Sequence, residues 1–342
     1  MNFTDAFNPY SYAMQLRRWL YRKRILRSTK LSIPVISIGN LSMGGTGKTP
    51  LTLLLADYCT NDLAKRTAIV LRGYKRQSSG LVVVSNGSGP LVDVRASGDE
   101  AQLYAKEIPS VIVICDEDRV RGGKHAISLG AEIILLDDGF QHLRLARDLN
   151  IILINSDEGI PAVLPFGKGR ENMSAVADAD LLIRTNASDL TTTPEQPGDI
   201  PQILIRSAIT GAKIFSADTQ IDALPEILSG RRILAVSAIG NPVRFEQMLA
   251  AIPCTVIPFR LPDHAEYDAA KLLEITEIAA KSKCDFIVTT TKDSVKMAES
   301  YIRLLEHNTS LPPLVVIQAD LEFLSGKSIL FTMINDLFNS RK

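Results

Sequence analysis

Several residue types that usually announce a specialised class are scarce in this chain. Its four cysteines, Cys59, Cys115, Cys254 and Cys284, lie too far apart for a C-x-x-C metal or redox pair and are too few to staple 342 residues. They read as buried thiols of a reducing compartment. There is no excess charge, since 38 Lys and Arg face 38 Asp and Glu. Without a global basic field, a nucleic acid backbone is excluded as the main partner. No run of about 18 uninterrupted apolar residues occurs, which excludes a conventional membrane-spanning helix. The N-terminus also lacks the charge-then-apolar order of a signal peptide. No internal repeat and no low-complexity tract is present.

What is present is apolar material for two cores, at 46% hydrophobic residues, and an α/β rhythm. Short β-branched runs alternate with helical stretches, with strands expected at Pro34 to Gly39, Ala68 to Arg72, Val111 to Cys115, Ile133 to Asp137, Ile151 to Asn155 and Ala179 to Thr185. A Thr, Pro, Asp and Gly-rich connector from Ser188 to Pro201 follows. A second series has strands near Ile233 to Ala238, Thr255 to Phe259, Phe286 to Thr290 and Leu314 to Gln318. The reading is a basic amphipathic helix in 1–30, a mostly parallel sheet flanked by helices in 31–205, and a smaller α/β/α domain in 206–342.

Residues 36–52 run I-S-I-G-N-L-S-M-G-G-T-G-K-T-P-L-T, an apolar strand entering a glycine-dense turn and then a helix. Gly44, Gly45, Thr46 and Gly47 would close backbone N–H groups around phosphate oxygens while the helix start aims its positive end at them. Lys48 would reach the outer phosphates and the Thr49 hydroxyl would bind magnesium. The general G-x-x-x-x-G-K-[ST] pattern asks for glycine at 42, where this chain has Ser42. The variant of membrane-recruited switch ATPases, K-G-G-x-G-K-[ST], asks for lysine at Met43.

Downstream, A-E-I-I-L-L-D-D-G-F-Q-H at 131–142 is an apolar strand ending in two carboxylates, Asp137 and Asp138, either of which could hold the metal. An Asp-Gly turn capping a buried strand is the plainer reading of the same residues. No N-K-x-D string for guanine recognition is present, so ATP is the expected nucleotide, with Mg2+.

The string continues to Leu145, Arg147 and Asp148, and D-D-G-F-Q-H-x-x-L-x-R-D resembles the tetraacyldisaccharide 4′-kinase (lipid A 4′-kinase) family. So does Gly39-Asn40 leading into S-M-G-G-T-G-K-T-P, where that family also lacks the first glycine. Leu71-Arg72-Gly73-Tyr74, Gly98-Asp99-Glu100-Ala101, Leu164-Pro165-Phe166-Gly167 with Gly169-Arg170-Glu171, Ile239-Gly240-Asn241-Pro242, Asp263-His264 and Thr289-Thr290-Thr291-Lys292-Asp293 add to the resemblance. It implies a P-loop fold and transfer of the γ-phosphoryl of ATP to the 4′-hydroxyl of an acylated glucosamine disaccharide 1-phosphate.

The resemblance also implies roles. Asp99 would take the acceptor proton with help from His264, alongside Lys48 as a catalytic group; helix capping is the bland alternative for Asp99. Tyr74, Glu100, Arg119, His142 and Arg170 would contact substrate, and Glu171 would join Thr49, Asp137 and Asp138 near magnesium, unless Arg170 and Glu171 are an exposed loop pair. His125 and His307 read as structural.

Residues 1–30 carry a net charge of +6. On a helical wheel Tyr12, Leu16, Trp19, Leu20 and Leu26 gather on one side, with Arg17, Arg18, Arg22 and Arg24 around the rest. Such a helix suits an anionic bilayer surface, or docks on its own domain with a solvated basic face. The expected setting is peripheral, on the cytoplasmic face of the inner membrane, as a monomer. The alternatives are a membrane-associated nucleotide switch without an acceptor, and a soluble metabolite kinase.

Overall fold

The computed structural model describes residues 8–43, 45–156, 161–186, 200–216 and 220–339. Gly44 and most of the expected connector, 187–199, lie outside the described residues. In chain order the elements are α1 (Pro9–Arg22), β1 (Val35–Asn40), α2 (Lys48–Asp57), β2 (Thr67–Leu71), β3 (Val82–Asn86), α3 (Val94–Ser97), α4 (Asp99–Glu107), β4 (Ile112–Cys115), α5 (Arg119–Ser128), β5 (Ile133–Asp137), β6 (Leu149–Asn155) and β7 (Leu181–Thr185). Then come β8 (Gln202–Phe215), β9 (Gln220–Ala223), β10 (Arg232–Ser237), α6 (Pro242–Ala250), β11 (Thr255–Arg260), α7 (Ala269–Lys281), β12 (Phe286–Thr290), α8 (Thr291–His307), β13 (Leu314–Ser325) and α9 (Lys327–Asn339).

The chain divides into two compact units, one running up to Ser207 and resuming at Leu321, the other spanning Ala208–Asp320. In the first, strands lie in the order β8-β7-β6-β1-β5-β2-β4-β3. All pairings are parallel except β3 with β4. Strands β1, β2, β4, β5, β6 and β7 are buried along their whole length, which is why they read as continuous apolar runs rather than alternating ones. The pleat still sorts side chains to two faces. Ile36, Ile38, Ile69 and Leu71 pack with Leu51 and Leu55 of α2 and Ala101 and Tyr104 of α4. Val35, Ala68, Val70, Ile134 and Leu136 pack with Val120 and Ala126 of α5.

The expected division at 205/206 falls within two residues of the observed one, but the two ends of the chain are assigned differently. The C-terminal helix α9 belongs to the first unit, not to a domain 206–342, because Leu330 and Ile334 are fully buried with Ile36 and Leu55. Truncating either of them to alanine would cost about 2–5 kcal/mol. Helix α1 and the segment after it also belong to this unit. Strands β8 and β13 each carry the chain across a unit boundary, so the division falls inside strands rather than in a loop. The edge strand β3 has no counterpart among the expected strands.

The second unit repeats the parallel rhythm in the order β11-β10-β12-β13, with β9 antiparallel to the end of β8. Its core joins Leu234, Val236, Ile287 and Val316 to Leu272, Ile275, Met297 and Tyr301 of the helices.

Candidate active site

Strand β1 delivers the chain into the glycine turn. Gly47 has φ 84°, a left-handed conformation that costs an L-residue energy, and it stands at the N-cap of α2 with no side-chain hydrogen bond to the helix start. Asn40 donates from Nδ2 to Thr46 Oγ1 at 2.9 Å, fixing the turn from beneath. The outer edge is braced by 168–171: Met43 donates to the Lys168 carbonyl at 2.8 Å, and Arg170 to the Leu41 carbonyl at 2.7 Å. Gly39 is required by close approach, since a Cβ there would stand 2.5 Å from that of Phe140.

Beside this turn, β5 ends in the two carboxylates. Asp138 has φ 50°. Its oxygens accept from Arg170 Nη1 at 2.8 and 2.7 Å, and Lys48 Nζ stands 3.4 Å away. Burial opposes its charge, but Lys48 and Arg170 outweigh burial and hold its acidity below the ordinary carboxylate value. Asp137 is pushed the other way, up to about 7, first by burial and then by the Glu100 carboxylate, with Lys48 and the Tyr104 hydroxyl pulling it back. Tyr104 donates to Asp137 Oδ2 at 2.9 Å, while Oδ1 is buried without a partner.

Helix α4 begins at Asp99, which is buried. Gly98 stands at the N-cap and offers no side chain there, and Asp99 and Glu100 are the acidic residues of the first turn. Glu100 and Tyr104 both act on Asp137, so the first turns of α4 run beside the acidic strand end. A Cβ on Gly98 would come 3.1 Å from the Tyr74 carbonyl, which places Tyr74, itself exposed, beside that helix start.

Arg119 is buried at the start of α5 and donates to the Asp116 carbonyl at 3.0 Å, leaving its Nε without a partner. Burial lowers its basicity, and Asp138 and Asp137 act against that. The His142 ring is pushed down to about 4 by burial and then by Arg119, and its Nε2 is buried without a partner.

One metal assignment fails on geometry. Both oxygens of buried Glu171 are taken by Arg18, through Nε and, at 2.8 Å, Nη2. Glu171 is neither an exposed loop charge nor a carboxylate turned to a metal. Asp138 is likewise engaged by two cations, which leaves the unpartnered Oδ1 of Asp137 and the hydroxyl of Thr49 on α2 as the oxygens that fit magnesium. Among the described residues no cluster of three or more Asp, Glu, His or Cys could hold an ion.

In the second unit, His264 has φ 65° and donates its N–H to the Ala238 carbonyl at 3.0 Å, while Lys296 Nζ donates to the His264 carbonyl at 3.0 Å. The T-T-T-K-D string works as a bracket. Thr290 caps α8, accepting from the Asp293 N–H at 3.1 Å, and buried Asp293 accepts the Ala238 N–H. Lys292 stands 3.6 Å from Asp263. Asp99 and His264 belong to different units.

The sequence reading gave no role to Tyr104, Asn40 or Gln141, whose Nε2 holds the Asn40 carbonyl at 2.8 Å. Gln141 lay inside the D-D-G-F-Q-H string, and that was the available signal. Tyr104 carried none, being one apolar-face residue of a helix.

The tetraacyldisaccharide-1-P 4′-kinase family, LpxK, matches residues 8–339. A Syntrophotalea carbinolica tetraacyldisaccharide 4′-kinase is 40% identical over 304 residues, covering 86% of this chain and 82% of that one. Its Syntrophus aciditrophicus counterpart is 37% identical, covering 84% and 82%. The crystal structure of Aquifex aeolicus LpxK in complex with ATP superposes with a TM-score of 0.74 at 30% identity, covering 96% of each chain. The match runs nearly end to end, through the glycine turn and the 168–171 segment that braces it, and the protein belongs to the tetraacyldisaccharide-1-P 4′-kinase family.

Proposed function

We infer that this chain is an ATP-dependent lipid kinase that transfers the γ-phosphoryl group to the 4′-hydroxyl of a tetraacylated glucosamine disaccharide 1-phosphate. The observation that carries the reading is the Lys48–Asp138–Arg170 cluster at an uncapped helix start, in a member of this family. The family lends no support to a nucleotide switch.

In this reading the acceptor oxygen bonds to the γ-phosphorus as the bridging oxygen leaves with ADP. The γ-phosphoryl oxygens gain stabilisation from Lys48, Arg170 and the N–H groups of Gly45 to Thr49. Without nucleotide, Asp138 is the counter-ion of both cations; a triphosphate takes over part of that neutralisation. Bound Mg2+ would be held by Thr49 and Asp137 and would neutralise phosphate charge. Asp99 takes the acceptor proton, a role supported by its buried place on an uncapped helix beside Asp137. An assisting role for His264 is what the resemblance implies, and within the second unit its backbone is held by the Ala238 carbonyl and by Lys296. Arg119 and His142, with buried nitrogens lacking partners, are suited to an anionic part of a substrate, and Tyr74 and Glu100 flank the acceptor.

The membrane reading gains support from an inversion. Helix α1 buries Ser11 and Arg18, while Tyr12, Leu16 and Trp19 stay 52%, 57% and 48% exposed. The wheel gave Arg18 and Arg22 to lipid phosphates, but they are paired with Glu171 and Asp178. Exposed Lys23, Arg24 and Arg27 are left for anionic headgroups. No helix among the described residues is long and apolar enough to cross a membrane, so attachment is peripheral in this reading, at the cytoplasmic face of the inner membrane, with the chain acting as a monomer. Incubation with γ-labelled ATP and the disaccharide lipid should move label into the extracted lipid. Label released only as free phosphate would overturn the kinase reading.

A further inference from the structure

The hydrogen bonds that α1 and the segment after it make to the rest of the first unit fall along two stretches, 140–148 and 163–178. Asn8 Nδ2 donates to the Leu164 carbonyl at 2.8 Å, Arg17 Nη1 to that of Gln141 at 3.0 Å, and Ser28 Oγ to that of Leu143 at 2.5 Å. Thr29 donates its N–H to the Arg144 carbonyl at 2.7 Å and accepts from Ala146 at 2.9 Å.

Arg18 is the centre of this seam. It is 4% exposed, and besides holding Glu171 it donates to Asp178 at 2.8 Å and to the Phe140 carbonyl at 3.3 Å. Its guanidinium carbon lies 4.0 Å from the Phe140 ring centroid. A planar fork can serve a carboxylate, a carbonyl and a ring face at once, and an ammonium cannot. Glu171 adjoins Arg170, and Phe140 follows Asp138 by two residues. Arg170 and Asp138 are themselves paired, and Lys48 stands beside them. Arg18 therefore ties together, from behind, the two backbone segments whose side chains meet in the phosphate site.

We propose that Arg18 is a positioning residue for phosphoryl transfer: by joining Phe140 to Glu171 it fixes the Asp138–Arg170 pair against Lys48. The helix that turns its apolar side outward thus also sets the geometry of the phosphate site. The proposal rests on the kinase reading above. It explains why a helix with an apolar stripe docks by its charged side, since the charged side is what reaches the catalytic loop.

The test uses the full chain as Arg18→Gln and Arg18→Lys, assayed on detergent-dispersed disaccharide lipid, with thermal unfolding and sedimentation on phosphatidylglycerol vesicles measured alongside. Arg18→Gln should lower kcat about 10-fold to 10²-fold while KM for ATP moves less than about threefold, the pattern of a misplaced rather than missing group. Arg18→Lys should restore only a minor part, and vesicle binding should stay at the wild-type level. Because Arg18→Gln leaves Glu171 buried without its partner, the double variant Arg18→Leu, Glu171→Leu separates folding from positioning. Its Tm should return toward wild type while kcat stays low. A kcat that recovers together with Tm, an Arg18→Gln enzyme within twofold of wild type, or a loss of activity that tracks loss of vesicle binding would each overturn the proposal. A Lys48→Ala control separates the two readings: if it is inactive while Arg18→Gln is unaffected, only the positioning role is lost.

Discussion

The first unit joins β1 to α2 through Gly47, whereas the second joins β10 to α6 through Asn241, and the two turns leave opposite things at the helix start. Gly47 offers no side chain, so the first N–H groups of α2 keep their capacity for an incoming anion. Asn241 accepts the Arg244 N–H at 3.1 Å, and Pro242 removes another donor, so α6 is closed by its own residues. The same contrast recurs at α4, which follows Gly98 without a cap bond, and at α8, capped by Thr290. Of these four helices, the two without a side-chain cap bond carry Lys48 and Asp99, and the two self-capped ones, α6 and α8, belong to the second unit. In the proposed reaction the phosphate meets the helix start that the chain leaves open, that of α2.

The comparison breaks most directly at Lys48. Lys48→Ala should lower kcat by roughly 10²–10³-fold or more, since it removes a cation from where phosphoryl charge develops. Turnover near the wild-type rate would detach function from the first turn altogether. At the second uncapped helix, Asp99→Asn should lower kcat roughly 10²-fold to 10⁴-fold with nucleotide affinity nearly unchanged, as for a lost general base. An equal loss of nucleotide binding would instead make Asp99 part of the metal or phosphate site.

Asp137 sharpens the contrast through pH. Its acidity is shifted from an ordinary 3.8 to about 7, so between those values the native protein holds a proton that the unfolded chain has released. This contribution to stability is complete below 3.8 and is lost as pH rises through about 7. A tenfold gain in proton affinity on folding is worth about 1.4 kcal/mol, giving an effect on the order of 2–4 kcal/mol for the ligand-free protein. His142, held down at about 4, tilts the other way as pH falls below its ordinary value. The quantity to read is therefore the difference between wild type and Asp137→Asn in unfolding free energy at pH 5 and pH 8. Parallel pH profiles for the two proteins would show that Asp137 is ionised in the fold at neutral pH.

How much of this was visible in the sequence follows from chain distance. The strand, glycine turn and helix were legible because β1, the glycines, Lys48 and Thr49 are covalent neighbours whose order already dictates that arrangement. The acidic strand end was legible for the same reason. Asp138's cations were not, because Arg170 arrives from 32 residues away, and the pairing of Glu171 was hidden because Arg18, 153 residues upstream, takes both of its oxygens. Periodicity located the stripe on α1 but not the side that docks. A stripe of Tyr, Leu and Trp normally means core, and here the docking side was decided by buried carboxylates on other segments. The division near 205 was legible from the connector, whereas the return to the first unit at Leu321 escaped because composition marks loops and β13 runs straight through that boundary.

The smallest expected effect belongs to the closed turn. Asn241→Ala removes the side-chain acceptor for the Arg244 N–H and should cost about 1 kcal/mol of stability, the usual worth of such a cap. Nucleotide affinity should not change, because a helix start that satisfies itself has no anion to lose. Its counterpart, Gly47→Ala, also costs about 1–2 kcal/mol through the left-handed backbone, with the new Cβ 3.4 Å from Thr185 Cγ2. That variant should lose nucleotide binding as well. Measured side by side by thermal unfolding and by binding of a fluorescent ATP analogue, the two variants should match in stability loss and part in affinity. If Asn241→Ala weakened the analogue as much as Gly47→Ala did, a capped start would matter to the nucleotide no less than an uncapped one, and the division between the two kinds of turn would not hold.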